Sequence, residues 1–290
     1  MNVTRPIETR IWPRQLWVGL ILIAAAWPLD WLLPGLRTQF LFFPLWLGYA
    51  LTVDGFVLLR KGTSLLTRSR RAFAGLFAVS APAWWLFEVI NWRTQNWNYQ
   101  GREFFTDWQY FLLASLSFST VMPAVFGTAE LVGTFEWVRQ MKPGPRVIVA
   151  RQNAGWFMLG GLVMLGLLIA LPRYFFPLVW ISIVFILEPI NVWLGNRSLA
   201  GPLKHGDWRP VIALWVGTLT CGFFWEMWNF FSYPKWIYHV PFVDFAHIFE
   251  MPLLGYGGYL PFGMELFALY HLVVGLLVPG LRTYIQVIPD

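Results

Sequence analysis

The chain has 290 residues, of which 57% are hydrophobic, 19% aromatic and only 12% charged, with a net charge of +6. A water-soluble domain carries about 25% charged residues, so too few polar side chains are present to cover a soluble surface. The single cysteine, Cys221, excludes an intrachain disulfide and a thiolate metal site, and without a soluble basic domain the positive charge does not point to nucleic acid.

Taken from the N-terminus, eight apolar blocks approach the roughly 20 residues that a hydrocarbon core of about 30 Å requires. They run Leu16–Leu33, Phe40–Leu59, Ala72–Trp92, Trp108–Val132, Trp156–Leu171, Phe175–Leu194, Val211–Phe231 and Leu260–Pro279. No water in a bilayer core satisfies backbone groups, so each block is predicted to be a helix. The first is read as a membrane helix and not a signal peptide, because Pro28, Asp30 and Trp31 follow its small residues Ala24–Ala26. Trp156–Leu171 is short, and Gly155 extends it.

Sixteen of the 21 Lys and Arg fall in the N-terminal tail (Arg5, Arg10, Arg14) and in the segments after the second, fourth, sixth and eighth blocks. The alternate segments hold five: Arg37, Arg93, Arg102, Arg173 and Lys235. That bias predicts a multi-pass protein of the cell (inner) membrane with cytoplasmic N- and C-termini, its basic loops facing anionic lipids.

The blocks also recur as a unit. Trp85–Tyr99 reads WLFEVINWRTQNWNY and Trp225–Tyr238 reads WEMWNFFSYPKWIY, each with a Glu, an Asn three residues on, and a Trp-x-Tyr. Phe42-Phe43-Pro44-Leu45 matches Phe175-Phe176-Pro177-Leu178, Asp54 matches Glu188, and Pro123 matches Pro261 at offsets of 133 to 139 residues. The expected fold is all-α: eight transmembrane helices in two tandem four-helix repeats related by a pseudo-two-fold axis along the membrane normal. Residues 1–135 form the first repeat, 136–154 a cytoplasmic linker and 155–290 the second, within one membrane domain.

Depth along each helix places Glu88 and Glu226 within about two turns of the outer helix ends, with Glu265 about two turns down the last. Asp54 lies near Arg60 at the inner end and reads as structural. A charge at mid-bilayer costs about 2.5–3.5 kcal/mol, so these acids should face the protein interior. An apolar pocket favours the neutral form of a carboxyl group, and a neutral Glu is a proton donor. Ring faces stabilise nearby cations by about 0.5–2 kcal/mol each, and 19 Trp, 26 Phe and 10 Tyr are available. A donor inside aromatic walls suits a carbocation in a lipid-soluble polyene. Each Glu and Asn pair equally suits helix locking by hydrogen bonds, and the Trp and Tyr equally suit interfacial anchoring. A weak metal-ligand pattern, His239, Asp244, His247 and Glu250, places the last three on one face if that stretch is helical, but Pro241 interrupts it. Gly255-Tyr256-Gly257-Gly258 follows no predicted strand and reads as a turn before the last helix.

The second unit resembles the membrane-type lycopene cyclases, whose repeat carries Trp-Asp at a helix end, a Gly-x-Trp-x-Phe/Tyr and a Pro-Leu-Glu-Glu. The matching positions are Trp225-Glu226, Trp236-x-Tyr238 and Phe249-Glu250-Met251-Pro252-Leu253 before Glu265. It is also similar to fungal membrane-bound meroterpenoid cyclases and to uncharacterised bacterial multi-pass proteins. The cyclase resemblance implies an isomerase-type reaction, started by protonating an alkene or epoxide with a carboxylic acid and needing no cofactor. Glu226 would be the proton donor and Glu88 its counterpart, with Glu250 and Glu265 as second choices. Asn91 and Asn229 would orient the carboxyls, and Trp97, Tyr99, Trp225, Trp236 and Tyr238 would line the pocket for a lipophilic substrate. Two other classes remain open: a proton- or ion-coupled transporter or channel, which needs polar access from both faces, and a non-catalytic scaffold. Substrate and oligomeric state are not legible.

Overall fold

The computed structural model describes residues 12–288, so the expectations for Arg5, Arg10 and both chain ends lie outside the described residues. Its principal helices in order are α1 (Arg14–Leu32), α2 (Thr38–Lys61), α3 (Arg70–Thr94), α4 (Asp107–Phe118), α5 (Val121–Gly133), α6 (Ala154–Ala170), α7 (Val179–Leu194), α8 (Arg209–Phe230) and α9 (Tyr259–Leu277). Among the described residues seven helical stretches are long and apolar enough to cross a membrane; α4 and α5 together form one, and α6, at 17 residues, is shorter. Large apolar side chains cover their outer faces: Ile21 is 64% exposed, Phe40 69% and Trp156 75%. Such a surface is stable only where hydrocarbon replaces water.

Local chemistry sets the helix boundaries. Gly62, at φ 79°, ends α2 in the left-handed conformation that glycine adopts without a Cβ clash. The Ser69 hydroxyl accepts from Ala72 N at 3.1 Å to start α3, and Thr106 with Gln109 forms a capping box at α4.

The fourth apolar block, expected as one helix over Trp108–Val132, is broken at Ser119–Thr120. Pro123 has no N–H to donate to the Ser119 carbonyl. The Ser119 and Thr120 hydroxyls turn back to Leu116 O (2.6 Å) and Ser117 O (2.7 Å). Ser80 of α3 splices the break, its Oγ donating to Phe118 O at 2.6 Å and accepting from Met122 N at 3.0 Å.

Helices pack in a regular scheme: α1 on α2, α6 on α7, α5 on α2, α3 and α8, and α9 on α7, α8 and α3. Backbones approach closely where glycines meet. A Cβ on Gly19 would fall 2.5 Å from Thr52 N, and one on Gly161 would fall 2.9 Å from the Phe185 carbonyl carbon. Close backbone approach of this kind supplies dispersion contacts between helices in lipid, where no hydrophobic force drives them together.

The basic segments gather at one end of the bundle. Arg60 donates to Thr134 Oγ1 (2.6 Å), Arg68 pairs with Glu130, and Gly144 N donates to Gly206 O (2.8 Å). Asp54 does not pair with Arg60: it accepts from Ser64 Oγ (2.8 Å), Leu66 N (3.0 Å) and Gln15 Nε2 (3.3 Å). Glu188 accepts from Ala200 N at 3.2 Å in the corresponding loop.

At the opposite end, β1 (Trp97–Gln100) and β2 (Lys235–Tyr238) pair antiparallel, with Trp97 opposite Tyr238 and Tyr99 opposite Trp236. The sequence reading contained no strand. A two-stranded ribbon is marginal alone, and this one is held from beneath by side chains of α3 and α8. A second short pair joins β3 (His247–Ile248) to β4 (Met251–Pro252).

Candidate functional site

Strand alternation explains why Trp-x-Tyr occurs in both ribbon strands. Side chains two apart share a face, and directly opposite residues of an antiparallel pair share it too. Trp97, Tyr99, Trp236 and Tyr238 therefore project from one face, with Asn98 and Ile237 on the other. All four rings line a cavity of about 170 Å³ bounded by α2, α3, α4, α7, α8 and α9. Of its 25 lining residues, thirteen are aromatic, so a ligand there would meet ring faces on most sides. Trp180 stacks on Trp97 at 6.1 Å between centroids, and Tyr259 lies 6.0 Å from Trp225.

Two asparagines place the ribbon. Asn91 donates to Trp97 O (2.8 Å) and accepts from Asn96 N (2.9 Å) and Trp97 N (3.4 Å). Asn229 donates to Trp236 O (2.7 Å) and accepts from Trp236 N (3.0 Å). The sequence reading had these side chains orienting the carboxyls. They clasp the strand backbone instead, because an amide offers both the donor and the acceptor that a strand end lacks.

Glu88 and Glu226 are buried, at 5% and 0% exposure, and neither lines the cavity itself. Rings of the cavity wall stand between. Glu88 Oε1 accepts from Trp84 Nε1 (2.9 Å), Trp97 Nε1 (3.0 Å) and the Tyr99 hydroxyl (2.5 Å). Glu226 Oε1 accepts from the hydroxyls of Tyr238 (2.8 Å) and Tyr259 (2.5 Å). Its Oε2 is buried with no hydrogen-bond partner among the described residues. Burial raises the Tyr99 and Tyr238 phenols well above the ordinary tyrosine range, so both are neutral at rest.

The two acids therefore differ chemically. An indole N–H can only donate, so Glu88 Oε1 is held as an acceptor by two groups that cannot reverse. Glu226 Oε1 has two hydroxyl partners, which donate or accept, with the Trp236 indole as a further neighbour.

Of the other candidates, Glu250 lies beside the cavity wall and Glu265 away from it. Glu250 pairs with Lys235. Glu265 is 1% exposed, off the cavity wall, with neither oxygen hydrogen-bonded among the described residues. The stretch from His239 to Glu250 is not helical, so Asp244, His247 and Glu250 do not share a helix face. Asp244 and His247 pair at 2.9 Å and His239 is exposed. Among the described residues no group of three or more His, Cys, Asp or Glu is placed to hold a metal ion.

Sequence reasoning missed Trp84, Tyr110, Trp180, Tyr259 and Phe262. Trp84 was findable, since an i, i+4 pair on one helix faces Glu88. Tyr259 carried no signal, because the unit alignment sets it opposite Val121, which has no hydroxyl. Compared with protein-family models, with curated proteins and with solved structures, the chain has no match.

Proposed function

We propose that the protein is an intramembrane enzyme that protonates a lipophilic isoprenoid or polyene and so starts its cyclisation. One observation carries the reading: the buried Glu226 carboxyl is bonded to two tyrosine hydroxyls that themselves line an aromatic cavity. In this scheme the Tyr238 or Tyr259 hydroxyl passes its proton to a substrate alkene or epoxide and takes one from Glu226. The π pair, or an oxygen lone pair, forms the new bond to hydrogen. The carbocation left behind sits against the ring faces until a second double bond closes on it. Loss of a proton from the product cation back along the same hydroxyls restores Glu226, so no cofactor is needed. Trp97, Tyr99, Trp225 and Trp236 shape the cavity, and Glu88 anchors its far wall.

The same reading places α6 as an eighth span and the chain in the cell membrane with the basic end cytoplasmic. Two tandem repeats are supported by the packing scheme. Exchanging the first four spans for the last four maps α1 on α2 onto α6 on α7, α5 on α2 onto α9 on α7, and α5 on α8 onto α9 on α3. The likeness to membrane-type lycopene cyclases and fungal membrane-bound cyclases fits a Trp-Glu at the end of α8 beside a Trp-x-Tyr.

The test is expression in hosts that make carotenoids, squalene or prenyl phosphates, followed by extraction and analysis of both the neutral and the anionic lipids. A new cyclic product that disappears with Glu226→Gln is expected. Unchanged lipid profiles across several polyenes, with the protein correctly inserted, would overturn the reading.

A further inference from the structure

We propose that Arg102 and Lys235 form an anion-binding mouth on the aromatic cavity, and that the substrate is an isoprenoid chain carrying a phosphate head group. The proposal rests on reading the cavity as a substrate site and adds the chemistry of the substrate's other end.

Among the described residues five Lys and Arg lie at the ribbon end of the bundle. Three of them lie off the cavity wall: Arg37 donates to Phe231 O at 2.6 Å, Arg93 donates to Ile169 O at 2.8 Å, and Arg173 lies 5.5 Å from the Phe242 ring. The remaining two, Arg102 and Lys235, both line the cavity, whose other walls are almost wholly apolar. The ribbon register brings them to one end of the pair, because Gln100 lies opposite Lys235 and Arg102 follows two residues on; Lys235 alternates away from the ring face and meets the cavity at the start of its strand. A pair of cations at the rim of an apolar hollow matches an amphipathic anion and not a hydrocarbon.

Arg102 is preorganised. Its guanidinium lies 4.3 Å from the Tyr110 ring and donates to Phe105 O at 2.8 Å. It also bridges Asp107, whose side chain is 99% exposed and so is free to give way to a ligand. Lys235 donates to Phe230 O at 3.2 Å and pairs with Glu250. With three ammonium hydrogens and two such partners, it keeps one donor for a ligand. A guanidinium fork beside a point-charge ammonium is a strong arrangement for phosphate oxygens. With the head held there, the chain runs inward toward Tyr238 and Tyr259, which fixes which end of the substrate reaches the Glu226 hydroxyl pair. The mouth sits at the ribbon end of the bundle.

The experiment follows tryptophan fluorescence of the purified full chain in neutral detergent during titration with farnesyl phosphate, farnesol and inorganic phosphate, since Trp97 and Trp236 line the cavity. Farnesyl phosphate should bind saturably and at least tenfold more tightly than farnesol, with inorganic phosphate failing to compete at the same concentration. The R102Q/K235Q double variant should lose that tenfold preference, R102K/K235R should keep it, and D107N should bind more tightly than the parent. Equal binding of farnesol and farnesyl phosphate, a preference that survives R102Q/K235Q, or binding unchanged or weakened in D107N overturns the proposal. Competition by inorganic phosphate at equal concentration overturns the lipid and leaves a free-phosphate site. The E226Q variant, inactive under the proposed reaction, should bind farnesyl phosphate like the parent, so a failed head-group preference and a failed reaction are read separately.

Discussion

Two sites of this chain, around Glu88 and around Glu226, each set a buried Glu and an Asn beneath a Trp-x-Tyr strand but hold them with different bonds. Glu88 has three donors on one oxygen, two of them irreversible indoles, whereas one oxygen of Glu226 has two hydroxyls. Asn91 makes three bonds to its strand and Asn229 makes two. Asp54 holds three donors and Glu188 holds one. At these three positions the first half is the more heavily hydrogen-bonded. The second keeps spare lone pairs and exchangeable hydroxyls next to the cavity. Under the proposed reaction the first site serves as a frame and the second as the working face, and the difference lies in which partner supplies the hydrogen bond.

The largest test of that division is the pair of acid substitutions. Glu226→Gln removes a group that can hold a transferable proton, and turnover should fall by about 10²–10⁴. Glu88→Gln keeps an acceptor oxygen for Trp84, Trp97 and Tyr99, and turnover should fall less than about tenfold while stability drops by about 1–3 kcal/mol. Lipid-product assays and thermal unfolding in detergent separate the two. Equal loss of turnover in both would mean that the halves share the chemistry.

A step smaller is the indole pair. Trp97→Phe leaves Glu88 one donor short at a buried site and should cost about 1–2 kcal/mol of stability. The Trp236 indole lies beside Glu226 and Tyr238 without a direct hydrogen bond, so Trp236→Phe loses ring area and a weaker polar contact and should cost about half as much or less. If Trp236→Phe proves the more damaging in thermal unfolding, the assignment of the first half as the frame is wrong.

The helical skeleton was legible because long apolar blocks leave only one way to satisfy backbone groups. Glu88 and Glu226 were legible because an acid in such a block is costly, and the matching Asn and Trp-x-Tyr marked them as neighbours of something shared. The ribbon was not, since four-residue strands between helices show no periodicity longer than their own Trp-x-Tyr. Nor was the break at Ser119–Thr120, where hydroxyls and Ser80 of another helix decide the backbone path. Tyr259 was hidden for a deeper reason. It lies where the two halves diverge: α4 precedes α5 in the first half, but strands and a short helical turn over Leu253–Gly258 precede α9 in the second.

The smallest contrast lies at the far end of the bundle, away from any substrate. Asp54 accepts from Ser64, Leu66 and Gln15, so Asp54→Asn turns an amide N–H₂ toward at least one donor and should lower stability by about 1–2 kcal/mol. Glu188 Oε1 has no partner among the described residues and Oε2 has only Ala200 N, so the amide of Glu188→Gln can keep its oxygen on Ala200 and should cost under about 1 kcal/mol. Both are measured by the thermal midpoint in detergent, with turnover unchanged because neither residue approaches the cavity. A larger loss at Glu188 than at Asp54 would confine the asymmetry to the ribbon end. The division of labour would then be a property of the site and not of the two halves.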